Sequence, residues 1–130
     1  MAETFRLTLA QLYPTVGAIA ANADLALDAW TQGRDAGAQM VALTEMFLTG
    51  YQTQDLVMKP AFARAAMAAL ESLALATADG PALGVGGPLL RDGHLFNAYY
   101  VLENGRIAAT ILKHNLPNDG VFDEKRVFTS

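Results

Sequence analysis

Asn104-Gly105 sits between two apolar runs, His94–Leu102 and Arg106–Leu112, and no other stretch of this chain constrains its fold more tightly. Both turn residues tolerate positive φ, which gives a turn whose twist matches that of paired strands, so the two runs fold back on each other as a hairpin. Along the first run Phe96, Ala98, Tyr100 and Leu102 alternate with Tyr99 and Val101, leaving neither face polar. The hairpin is therefore expected to be covered on both sides, in the interior of a layered α/β sheet.

The upstream sequence supplies the rest of such a sheet. Phe5–Leu12 reads as a strand, apolar at Phe5, Leu7, Leu9 and Leu12. Tyr13-Pro14-Thr15-Val16-Gly17 breaks it. Asn22 is an N-cap candidate with Asp24 in the first turn, and Ala23, Leu27, Trp30 and Arg34 then fall on one helical stripe. Trp30 is expected to anchor that helix in the core. Asp35–Ala38 ends the helix and Met40–Leu43 forms a second strand, so strand, helix and strand make a right-handed crossover with parallel strands. Pro60 suits the first position of a second helix, whose face of Phe62, Ala66, Ala69, Leu70, Leu73 and Thr77 runs to a stop at Asp79-Gly80-Pro81. Ala82–Val85 is a short buried strand. Gly86-Gly87-Pro88 reads as close backbone approach at its end, because no Gly-Lys-Ser/Thr follows to make a phosphate loop.

A chain of 130 residues builds one domain with a modest core, and 52% hydrophobic residues exclude disorder. Thirteen acids against nine bases, a net charge of −4, argue against a nucleic-acid surface. No apolar run approaches the ~20 residues of a membrane span, and the N-terminus lacks the pattern of a signal peptide. The chain has no cysteine, so it offers no disulfide and no thiolate. These features lead to the expectation of a soluble, cytoplasmic protein.

Glu45 and Lys113 both stand where an apolar strand hands over to a loop. Open α/β sheets build their sites outside the carboxyl ends of their strands, and a carboxylate and an ammonium brought together there can be tuned for proton transfer. Lys113–Ser130 reads as a long loop, of the kind that carries function when ordered. Glu124 adds an acid to it, read by itself as a solvated charge. His114 is expected at the surface or behind the site, and His94 beside the Asp92-Gly93 turn. The two histidines have no neighbours to complete a metal site.

Three segments carry a resemblance. Leu9–Gly17 (LAQLYPTVG), Thr44–Tyr51 (TEMFLTGY) and Ile111–Pro117 (ILKHNLP) are similar to the nitrilase, or carbon–nitrogen hydrolase, superfamily. Within it, the Leu-Thr-Gly-Tyr…Asp-Leu segment together with Lys-x-x-Leu-Pro-Asn-x-Gly-Val-Phe-Asp-Glu resembles the glutaminase domains of glutamine-dependent NAD synthetases. The resemblance runs collinearly from Leu7 to Thr129.

It implies a nitrilase-type αββα sandwich layer, a mixed sheet with helices on one face, present here as the N-terminal half. It also implies a Glu-Lys-Cys catalytic set. Glu45 matches the general base, Lys113 the lysine that stabilises the oxyanion, and Glu124 a second glutamate that supports lysine and substrate. Tyr51, Asp119 and Phe122 fall where the glutamine pocket is expected. Thr44 replaces the family's usual proline, and Asp119 replaces its usual tyrosine. The family's cysteine follows the lysine loop, beyond Ser130, so residues 1–130 are expected to be the N-terminal part of the hydrolase domain, with no second domain. Glutamine is the implied substrate. The implied partners are a synthetase domain of the same polypeptide, which uses ATP and magnesium, and further copies of the chain. A stand-alone amidase or carbamoylase of the same superfamily, and a non-catalytic α/β binding domain, are the other readings.

Overall fold

The computed structural model describes residues 4–50 and 59–113. Its elements are β1 (Leu7–Leu9), α1 (Ile19–Asp35), β2 (Met40–Ala42), α2 (Pro60–Ala76), β3 (Ala82–Arg91), β4 (His94–Glu103) and β5 (Arg106–Leu112). The five strands form one sheet in the order β1-β2-β3-β4-β5, with β1, β2 and β3 parallel and the last two pairings antiparallel. The hairpin is built as the sequence indicates: Asn104 and Gly105 turn at φ 56° and 81° and set Glu103 opposite Arg106.

Both helices pack on the same face of the sheet and against each other. Val41, Leu83, Val85, Ala98, Tyr100 and Leu102 point into that layer and meet Ala26, Ala29 and Trp30 of α1 and Ala66, Leu70 and Leu73 of α2, all buried. Each buried leucine or valine contributes roughly 1.5–3 kcal/mol relative to exposure. Trp30 is a core anchor as expected, and its indole N–H donates to the Pro81 carbonyl at 2.8 Å. Tyr100 is buried, its hydroxyl donating to Pro88 O at 2.9 Å, and burial pushes its phenol well above the usual range. No helix among the described residues is long and apolar enough to cross a membrane.

Several expectations need correction. β1 spans Leu7–Leu9 rather than Phe5–Leu12, because its parallel partner β2 is itself only Met40–Ala42. Helix α1 starts a turn earlier than expected, with Ala18 at the N-cap, and Asn22 lies inside it. Its buried face is Asn22, Ala26, Ala29, Trp30 and Gly33, so of the expected stripe only Trp30 is buried. An alanine-rich helix gives weak contrast between faces, which is why the stripe was misplaced. Gly86-Gly87-Pro88 lies within β3 rather than after it, paired to Tyr99, Ala98 and Asn97. β2 runs only as far as Ala42, opposite Gly84, so β3 has a strand on one side alone at Pro88, where a missing N–H is tolerated.

Among the described residues the hairpin is covered on one face only. Pairing places Leu9, Ala42, Gly84, Val101 and Ala109 in one row across the sheet, with Leu7 and Met40 on one side of it and Gly86, Tyr99 and Ile111 on the other. Leu7, Leu9 and Ile111 are 49%, 75% and 57% exposed, so the face opposite the helices lies open among the described residues.

Candidate active site

Glu45 stands near the start of a loop that the fold holds from three sides. After β2 the Leu43 N–H donates to Gly84 O at 2.8 Å, and the Leu48 N–H returns to Gly86 O at 3.0 Å. Gly17 N–H reaches Thr49 O at 2.9 Å from the β1–α1 connection. Asn22, 2% exposed, donates from Nδ2 to Thr15 O at 2.8 Å and Leu48 O at 3.1 Å, while its Oδ1 accepts from Thr15 N–H at 2.8 Å. Met46, Phe47 and Leu48 are buried beneath. The carboxylate thus projects from a fixed, apolar base.

Lys113 arrives from the other end of the sequence. Its backbone N–H donates to Asn97 O at 2.9 Å and extends the β4–β5 ladder by one residue. Two residues beyond Ile111, its side chain falls on the open face, and Nζ meets Glu45 Oε1 at 2.8 Å. The side chains are 29% and 45% exposed, and a pair so hydrated stabilises a fold by at most about 1 kcal/mol. The pair is therefore a poor stability device, and its value lies in placing opposite charges at one point.

Two further side chains join the cluster among the described residues. Asn97 Nδ2 donates to the same Glu45 Oε1 at 2.7 Å, and the Tyr99 hydroxyl donates to Leu43 O at 2.9 Å. Burial pushes the Tyr99 phenol above its ordinary value, so it remains a neutral donor at neutral pH. With Ile111 these residues line an open pocket of about 270 Å³ on the uncovered face, at the carboxyl ends of the parallel strands. A carboxylate, an ammonium and a fixed amide can there accept a proton and steady a developing negative charge.

The expected Glu45–Lys113 meeting is observed. Tyr51, His114, Asp119, Phe122 and Glu124 lie outside the described residues. Sequence reasoning passed over Asn97 and Tyr99. Asn97 left a signal, since a polar side chain amid the apolar Phe96-Asn97-Ala98 of a central strand demands a partner when buried.

The sequence pattern of the carbon–nitrogen hydrolase family matches residues 6–130. The glutamine-dependent NAD(+) synthetase of Rhodobacter capsulatus is 62% identical over 128 residues, which is 98% of this chain and 23% of that protein. The synthetase of Thermotoga maritima is 36% identical over 97% of this chain and 22% of its own length. This chain thus spans less than a quarter of these relatives. Among solved structures, a glutamine-dependent NAD(+) synthetase from Cytophaga hutchinsonii superposes with a TM-score of 0.93 at 28% identity, covering 98% of this chain and 22% of that one. An amidase of the nitrilase superfamily from Nesterenkonia AN1 gives 0.80 at 23% identity over 96% of this chain and 47% of that one, a likeness of fold. With the family pattern spanning residue 6 to residue 130 and the mixed sheet, one-sided helices and strand-end site all in place, the chain belongs to the carbon–nitrogen hydrolase family.

Proposed function

We propose that residues 1–130 form the N-terminal part of the glutaminase domain of a cytoplasmic glutamine-dependent NAD synthetase. The observation that carries this reading is the Glu45–Lys113 pair at 2.8 Å, assembled from strand ends 68 positions apart. The names of the relatives support the substrate.

On this reading Glu45 takes the proton of a cysteine thiol supplied by the remainder of the domain. The thiolate attacks the side-chain amide carbon of glutamine, and Lys113 steadies the oxyanion. The C–N bond breaks as Glu45 returns its proton to the leaving nitrogen, so ammonia departs and a thioester remains. Glu45 then deprotonates water, which cleaves the thioester to glutamate and restores the thiol. Glu124 supports the lysine, and Tyr51, Asp119 and Phe122 contact substrate. Ammonia passes to a synthetase domain that uses ATP and magnesium to amidate deamido-NAD, and no residue of this chain is assigned to those groups.

Purified residues 1–130, having no cysteine, are expected to release no ammonia from glutamine, whereas the complete polypeptide releases it and loses that activity on thiol alkylation. Ammonia production by the purified chain alone would overturn the assignment. The amidase-like fold keeps a stand-alone amidase as the second reading, and glutamine-driven amidation of deamido-NAD by the complete polypeptide decides between the two.

The open face carries a further expectation. Leu7, Leu9 and Ile111 are exposed together, and β1 and β5 present unpaired sheet edges among the described residues. Such surfaces pair with whatever apolar partner is available. The isolated chain is expected to self-associate, and Leu9→Lys with Ile111→Lys to weaken association. Light scattering that finds a monodisperse monomer at tens of micromolar would contradict this.

A further inference from the structure

We infer that Asn97 is a positioning residue that gives the two oxygens of Glu45 different duties, Oε1 holding the ammonium and Oε2 carrying the proton. The inference rests on the reading of Glu45 as general base. Asn97 Nδ2 and Lys113 Nζ both donate to Oε1, at 2.7 and 2.8 Å, and Oε2 takes no hydrogen bond from the described residues. A carboxylate turns about its last torsion between two near-equivalent settings. The lysine alone selects neither, because an ammonium is a point charge on a flexible stem.

An amide on a central strand does select. Asn97 is 2% exposed and paired on both sides, to Pro88 by register and to Lys113 through its carbonyl, so its backbone is held and its buried side-chain amide has little room to turn. The same residue therefore grips both members of the pair: its side chain holds Glu45 and its backbone holds Lys113. Glu45, on a loop and half exposed, is the member that needs the guide. A buried amide whose acceptor is removed loses its own compensation, so the arrangement is held from both ends.

The test uses the complete enzyme and reads glutamine hydrolysis. Asn97→Leu keeps the volume and removes the donor. Its kcat is expected to fall roughly 10- to 100-fold, the loss of one hydrogen bond to a charged group, with KM for glutamine within about threefold. Asn97→Asp keeps the shape and sets a second carboxyl against Glu45, with Lys113 and Tyr99 the other titratable groups lining the pocket. Two carboxyls in one site do not both stay ionised, and the protonated one donates again. Its kcat is therefore expected to rise as pH falls below neutral, where the parent's does not. A residue that merely fills the strand gives no such profile.

Thermal melting of each variant, with the ammonia-driven reaction as reference, reports on folding. If the folded variants keep kcat within threefold, or if Asn97→Asp follows the parent's pH profile, Asn97 has no such duty. Glu45→Gln separates the layers. Intact turnover in that variant removes the general-base reading itself, while lost turnover beside a fully active Asn97→Leu removes this inference alone.

Discussion

Glu45→Gln in the complete enzyme is expected to lower kcat for glutamine hydrolysis by roughly 10³- to 10⁴-fold, the upper part of the range for general acid–base catalysis. On the proposed mechanism the upper part applies because the same carboxylate acts twice, first on the thiol and then on water. Glutamine is nearly isosteric, and its amide oxygen still accepts from Lys113 and Asn97, whose donors stand 2.8 and 2.7 Å from Oε1 in the parent. The loop, the ammonium and the pocket should all survive the exchange. What is lost is the ability to accept a proton, equivalent to about 4–5.5 kcal/mol of transition-state stabilisation. KM should move little, and NAD formation from free ammonia should not move at all. Steady-state assays with glutamine and with ammonia separate these quantities, and a kcat within tenfold of the parent would dismiss Glu45 as the base.

How far this site could be read from sequence varies by residue. Glu45 and Lys113 were found because each breaks an apolar strand pattern at its end, and sheet topology makes strand ends meet. The Asn104-Gly105 turn fixed the hairpin register for an equally local reason: few dipeptides tolerate two positive φ values in succession. Asn97 escaped because alternation was judged from its apolar neighbours, and its role depends on a loop 52 positions away. Asn22 was misread for a related reason. Its side chain suits a helix cap, yet it bridges Thr15 and Leu48, a tertiary demand that outweighs local preference. Cover of the hairpin is seen on the helix face among the described residues, since apolar residues on both faces show that both are built for burial and not what covers them.

The two adjacent glycines of β3 are expected to respond in opposite ways to alanine, and the contrast ties the fold to the site. Neither has positive φ, so space alone decides. A Cβ at Gly86 would stand 2.8 Å from the Glu45 carbonyl carbon and from Thr44 O, and closer still to Met46 N. All three are backbone atoms of the loop that β3 helps to hold, and backbone cannot turn aside as a side chain can. At Gly87 the nearest atoms are Leu48 Cβ and Tyr100 Cε2, both 3.6 Å away, which is ordinary contact. Gly86→Ala must push the Glu45 loop off the sheet or bend β3, and overpacking of this kind costs about 1–3 kcal/mol, occasionally more. A backbone clash belongs at the top of that range, which for a domain of this size lowers Tm by roughly 6–15 °C. Gly87→Ala meets no such obstacle and restricts the unfolded chain, so it should be neutral or stabilising by about 0.4–1 kcal/mol. Thermal unfolding of the two variants beside the parent measures both. On the proposed function the first should also lose glutaminase turnover in the complete enzyme, because the atoms displaced are those that carry Glu45. A Gly86→Ala protein that melts within two degrees of the parent would mean that the loop is not held against β3 as described.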